Sequence, residues 1–365
     1  MDRRRFIFFA SALAACRPSR RAGPGHVAIV ANYEGRALAA VDLRLFTLMR
    51  HIPLGARPAA VVVLGEGRQV VALTPENGTL HRLDASTLSL ETRRQVAGFA
   101  SSLRPGPDGR SIFVLADAWF IRLDAASLRP DWQLGIREPG ASFALSPATP
   151  HAVIAGHTGR LTLVDLAERR FVWQRRVTEQ PGPVRFLKNG KLLLVGDRKR
   201  RRLLILEAAS GECVVELALA VEPENFCFKQ DGGQMFITGP GSDAVVIVYP
   251  FQTQLAGTVL AGRSPGPMAV SARPDLLFVA NSQSGEVTVV DIRKHQVRAV
   301  VSVGPRADAL AVTPDNNFVL VLNRESGDMA VLRVDAMGNR RTKAAPLFTI
   351  VPVGSGPVDV AVARV

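Results

Sequence analysis

The chain has 365 residues, 47% of them apolar, which is ample for a buried core, and its 31 Gly and 24 Pro make it turn-rich. Its apolar residues never run on for about 18 positions, which argues against membrane-spanning helices. The formal net charge is +13, and no aromatic-rich basic motif accompanies it, so a protein or polyanionic surface is the expected partner rather than nucleic acid.

Residues 1–15 read as a signal peptide and stand apart from the fold. Residues 1–5 are basic and 6–15 apolar, and Leu13-Ala14-Ala15-Cys16 resembles the lipobox of bacterial lipoproteins, in which Cys16 receives the lipid. Arg3-Arg4-Arg5-Phe6-Ile7 also resembles a twin-arginine export signal. Cleavage before Cys16 removes three Arg and one Asp and takes the charge from +13 to +11. Arg17, Arg20 and Arg21 then follow the lipid in a linker over residues 16–25, where each basic group near an anionic surface contributes about 1 kcal/mol of attraction. Residues 26–365 form one domain.

That domain is a repeat of about 42 residues. In its cleanest copy, 265–304, the loop Pro265-Gly266-Pro267 leads into four short β-branched runs at 268–272, 276–281, 287–292 and 297–303. Gly, Pro, Asp and Ser clusters separate them, which predicts a meander of antiparallel strands. An acidic residue closing the third strand marks each copy: Asp42, Asp84, Asp124, Asp165, Glu207, Asp291 and Asp335, with Tyr249 in the remaining one. A carboxylate there accepts hydrogen bonds from the amides of the next turn, so the marker is structural. Full repeats start near Arg57, Phe99, Pro139, Pro181, Pro223, Pro265 and Pro305. The eighth is split, with 356–365 as first strand and 26–54 supplying the other three. These features predict an all-β, eight-bladed β-propeller of four-stranded antiparallel blades, one closed by both chain ends; seven blades are the alternative. Cys213 and Cys227 fall on an outer strand and on the next inner strand, too far apart to bridge.

Val279-Ala280-Asn281 followed by Gly285 and by Val287-Thr288-Val289-Val290-Asp291 resembles the YVTN-type propeller repeat, as do Val30-Ala31-Asn32 with Ala40-Val41-Asp42, Leu322-Asn323 with Gly327, and Thr313-Pro314-Asp315. The resemblance covers nearly all of the chain after residue 25. It implies an exported or surface-attached protein with a binding face, and related propellers include lactonases and d1-haem proteins.

Propellers bind through the face that joins the inter-blade loops to the turns between second and third strands. That face carries five successive cations, Arg198, Lys199, Arg200, Arg201 and Arg202, whose mutual repulsion suggests an anion or partner site. Arg57, Arg185, Asn225, Asp308 and Asp359 lie at or near the starts of first strands and are candidates for the channel mouth. His157, in the hairpin Gly156-His157-Thr158-Gly159, is the histidine placed on this face and the candidate haem ligand. No spacing suits a metal, and no Gly-x-Ser-x-Gly or phosphate loop suggests catalysis. The expected function is therefore a monomeric, lipid-anchored envelope propeller without cofactor that binds a protein or polyanionic partner through its loop face. A lactonase-like hydrolase and a d1-haem-related protein are the alternatives.

Overall fold

In the computed structural model, which describes residues 25–64, 67–338 and 344–365, the short apolar runs form eight four-stranded antiparallel sheets. The signal segment, Cys16 and the linker up to residue 24 lie outside the described residues. We number the blades by their first strands: Ala60–Leu64 (blade 1), Ala100–Pro105 (2), Gly140–Leu145 (3), Pro181–Phe186 (4), Asn225–Phe228 (5), Pro265–Ala272 (6), Ala307–Val312 (7) and Pro357–Arg364 (8). Blade 8 is split as expected: Pro357–Arg364 pairs with His26–Asn32, which continues into Ala37–Asp42 and Thr47–Pro53. Val360 lies opposite Val30 and Val362 opposite Ala28.

The core sits between blades. One apolar cluster joins Ile29, Leu38 and Ala363 of blade 8 to Val70 and Leu83 of blade 1. Another joins Val30 and Val41 of blade 8 to Leu320 and Val331 of blade 7. Six more fill the remaining interfaces. Because each sheet is covered on both sides, its middle strands are largely buried: all six residues of Ala37–Asp42 are, whereas the outer strand Thr47–Pro53 buries only Ile52. Each fully buried Val, Leu or Ile contributes about 1.5–3 kcal/mol. Eight interfaces of this kind close an all-β propeller of eight blades and leave no place for the seven-bladed alternative.

The recurrent residues prove to be fastenings. The Asp84 carboxylate accepts from the amides of Ser86 (2.9 Å) and Thr87 (2.8 Å), and that of Asp165 from Ala167 (2.9 Å) and Glu168 (3.0 Å). The Ser86 hydroxyl first, and the Thr87 amide after it, hold the Asp84 carboxyl below its usual range. Asp335 is an exception. Its third strand, Asp328–Arg333, ends two residues earlier, and Asp335 belongs to the short helix Val334–Gly338. The Asn of the repeat bolts its strand to the loop entering its blade. Asn32 Nδ2 donates to the Val353 carbonyl (2.5 Å), Asn323 Nδ2 donates to that of Val303 (2.9 Å), and Asn281 Oδ1 accepts from the Gly262 amide (3.2 Å). Cys213 and Cys227 are free thiols, as their placement on different blades predicts.

Candidate functional site

The loop face is assembled by backbone bonds between each hairpin and its blade's exit loop, such as Val177 N–H to the Gly159 carbonyl (3.1 Å) and Val353 N–H to that of Gly327 (3.0 Å). Gly159 has φ +84° and lies so close to Thr178 that a Cβ would sit 1.7 Å from its carbonyl oxygen, so only glycine fits. His157 is held by this hairpin and is exposed. Beside it, the Thr158 hydroxyl donates to Glu138 (2.5 Å).

The basic hairpin lies on the same face, but its charges are not left to repel one another. Arg198 pairs with Glu224, Lys199 with Glu179 and Arg202 with Glu216. Arg200 reaches Glu179 at 3.7 Å, Arg201 reaches Glu222 at 3.3 Å, and Arg202 also reaches Asp197 at 2.9 Å. Each of the five cations thus has a carboxylate partner, and the premise of unrelieved repulsion does not hold.

The five residues expected at the channel mouth occupy different levels. Arg57 stands outside, on the loop entering blade 1, between Glu76 (3.2 Å) and Glu34 (3.8 Å) and over the Tyr33 ring (5.2 Å). Arg324 of blade 7 completes this cluster through Glu34 (3.7 Å) and the same ring (5.7 Å). Asn225 is at the mouth itself, opposite Thr238. Asp308 sits beside it in level, in the bulge between Ala307 and Ala309, and pairs with Arg306 at 3.4 Å. Asp359 lies at the level of Asn225, opposite Ala31, and its oxygens accept from the amides of Val61 (2.8 Å) and Val360 (3.0 Å). Burial outweighs those two hydrogen bonds and pushes its carboxyl up to about 6.

Arg185 is deeper, opposite Leu194, three residues in from the end of its second strand. Sequence reasoning missed its counterpart: Arg104 of blade 2 occupies the same level, opposite Phe113. Arg104 Nε donates to the Phe143 carbonyl (2.9 Å), and Arg185 Nη1 donates to that of Val184 (2.9 Å). The signal that finds the pair is register across repeats rather than any local motif. Burial, and then the like charge of Arg104, lower Arg185 to about 10. Burial also pushes the neighbouring Cys227 thiol up to about 12, so it stays protonated and is a poor nucleophile. No first strand carries a histidine. Among the described residues, no three His, Cys, Asp or Glu side chains gather as metal ligands.

Two open clefts lie on the loop face, of about 870 and 720 Å³. The first runs between blades 6 and 7 past Ser264, Ser282, Gln283, Ser284 and Ser302; the second runs between blades 7 and 8 past Glu34, Arg324, Ser326 and Ser355. Arg306 and Glu325 line both, so the two form one polar groove.

Fold and site define a β-propeller with a polar loop face and a channel lined by its first strands. The family model described as outer membrane protein assembly factor BamB matches residues 23–197, just under half of the 365, and supports a propeller repeat family. No curated protein matches the chain. Among solved structures, the chain is similar to dihydro-haem d1 dehydrogenase NirN in complex with DHE (TM-score 0.79, 15% identity, 94% of this chain and 76% of that one). It is also similar to apo AztD from Citrobacter koseri (0.73, 11%, 94% and 98%) and to Kuenenia stuttgartiensis hydrazine synthase (0.61, 15%, 76% and 95%). At these identities the likeness shows the fold alone.

Proposed function

We propose that the protein is an exported, lipid-anchored propeller of the YVTN repeat type that binds a protein partner, without catalysis, on the loop face of blades 6, 7 and 8. The observation that carries this reading is the continuous groove, whose hydroxyls, backbone groups and the Arg306 and Glu325 side chains offer hydrogen bonds along three blades. Export rests on the basic, apolar and small-residue order of residues 1–15, with Cys16 as the lipid attachment point, and the BamB-described match to the N-terminal half supports an envelope setting. With its charges paired, the hairpin of Arg198, Lys199, Arg200, Arg201 and Arg202 offers a polyanion little uncompensated charge, which supports the groove over the hairpin as the partner's seat.

The test is a photo-crosslinking residue at Ser284 in the groove, with Ser127 on the opposite face as control. Partner capture from Ser284 and none from Ser127 is the expected result; equal capture from both, or capture from Ser127 alone, overturns the reading.

A second reading, a d1-haem-type cofactor, is favoured by the likeness to NirN over 94% of this chain. The residues fit it incompletely, because His157 is exposed on an outer hairpin and the first strands supply no second histidine. Visible absorption by the protein purified from its native host belongs to this reading alone. The lactonase-like alternative needs Glu, His and Arg together around the mouth, and the first strands supply no histidine there either.

A further inference from the structure

Two guanidiniums stand inside the channel without a carboxylate. Arg104 and Arg185 are at the same level of first strands two blades apart, and the groups that face them, Phe143, Val184 and Cys227, also belong to first strands. Among the described residues neither forms an ion pair, although every cation of the basic hairpin has one. Asp359, a half-buried acid of the channel, gives its oxygens to backbone amides instead.

Each guanidinium nevertheless keeps one unspent edge. Arg104 uses Nε on the Phe143 carbonyl, which leaves its two Nη groups. Arg185 uses Nη1 on the Val184 carbonyl, which leaves Nε and Nη2. Either pair is a fork that matches two oxygens of an oxyanion. At the same level, Val62, Ala144, Ala269, Ala311 and Ala361 are small and apolar, and Cys227 is the remaining side chain, so no bulky group stands opposite the cations. Two half-buried like charges without a counter-ion are costly, and an anion between them relieves both.

We propose that the central channel is an oxyanion-binding site, in which Arg104 and Arg185 together hold a small molecule through its carboxylate or phosphate group. This site is independent of the loop-face groove, so the crosslinking result leaves it untouched.

The experiment is calorimetric titration of the parent protein with sodium succinate, with inorganic phosphate and, at matched ionic strength, with sodium chloride. Saturable heat with succinate identifies a carboxylate ligand and saturable heat with phosphate a phosphate ligand; chloride is expected to give none. Arg104→Gln and Arg185→Gln should each weaken binding at least tenfold, and Arg200→Ser in the hairpin should leave it unchanged. Arg185→Lys keeps the charge and most of the volume, so it secures a folded sample that lacks the fork, and it too should bind more weakly. Without ligand, Arg185→Gln should melt no lower than the parent, since it removes an uncompensated cation. No saturable heat with either oxyanion, heat equal to that of chloride, or unchanged binding in both channel variants overturns the proposal.

Discussion

The hairpin of Arg198, Lys199, Arg200, Arg201 and Arg202 and the channel pair Arg104 and Arg185 differ in the opposite sense from their prominence in the sequence. The hairpin has the densest run of cations, yet Glu179, Glu222, Glu224, Asp197 and Glu216 answer all of it. The channel has two isolated arginines, and no carboxylate among the described residues reaches them. A site is better located by charges left without partners than by charges in number, because surface pairs are screened and interior charges are not.

This contrast presupposes a closed ring, so the largest effect is expected from removing residues 357–365. The deletion takes away the first strand of blade 8 and uncovers the clusters around Ala363 and Val360. The thermal midpoint should fall by more than about 10 °C, given several buried side chains at about 1.5–3 kcal/mol each. A truncated protein that melts with the parent would break the comparison at its base.

A smaller effect comes from titration inside the ring. Asp359 has its folded-state carboxyl raised to about 6, so its ionisation destabilises the fold as pH rises from about 4 to 6. Buried His81 is lowered to about 4, by burial and then by the charge of Arg93, so its protonation destabilises the fold as pH falls from about 6.5 to 4. Each is worth on the order of 3 kcal/mol, and over their shared range the two slopes oppose. Asp359→Asn removes one of them. Its unfolding free energy should therefore drop between pH 7 and 4.5 while the parent's stays nearly level, as denaturant titrations at several pH values would show. Equal pH profiles for both proteins would contradict this assignment.

The smallest effect is expected at the hairpin. Glu179→Gln frees Lys199 and Arg200, yet it should leave the denaturation midpoint within error of the parent's, in low salt as in 1 M salt. A larger loss in denaturant titration would mean that the hairpin carries more of the fold than its exposure allows.

The ring was legible in the sequence because its signals are local: Gly, Pro and Asp turns at fixed intervals, the acid closing six of the eight third strands, and an Asn that fastens each of three blades. Asp335 misleads for the same reason. Val331-Leu332-Arg333-Val334-Asp335 reads like a strand closed by an acid, but the strand ends at Arg333, opposite Phe318, and a helical turn takes over. The site was less legible because its partners are distant in sequence. Glu224 meets Arg198 across 26 residues, and Glu179 meets Lys199 across 20. Arg104 is an ordinary residue of an ordinary strand until register sets it level with Arg185. The groove likewise depends on loops of three blades, and none of its Ser or Gly residues is distinctive alone.

The most direct measurement is the anomalous difference density of crystals soaked in selenate, a tetrahedral oxyanion with a strong anomalous signal. A peak between Arg104 and Arg185, with none over residues 198–202, is the result this account predicts. Peaks over the hairpin and none in the channel would contradict it.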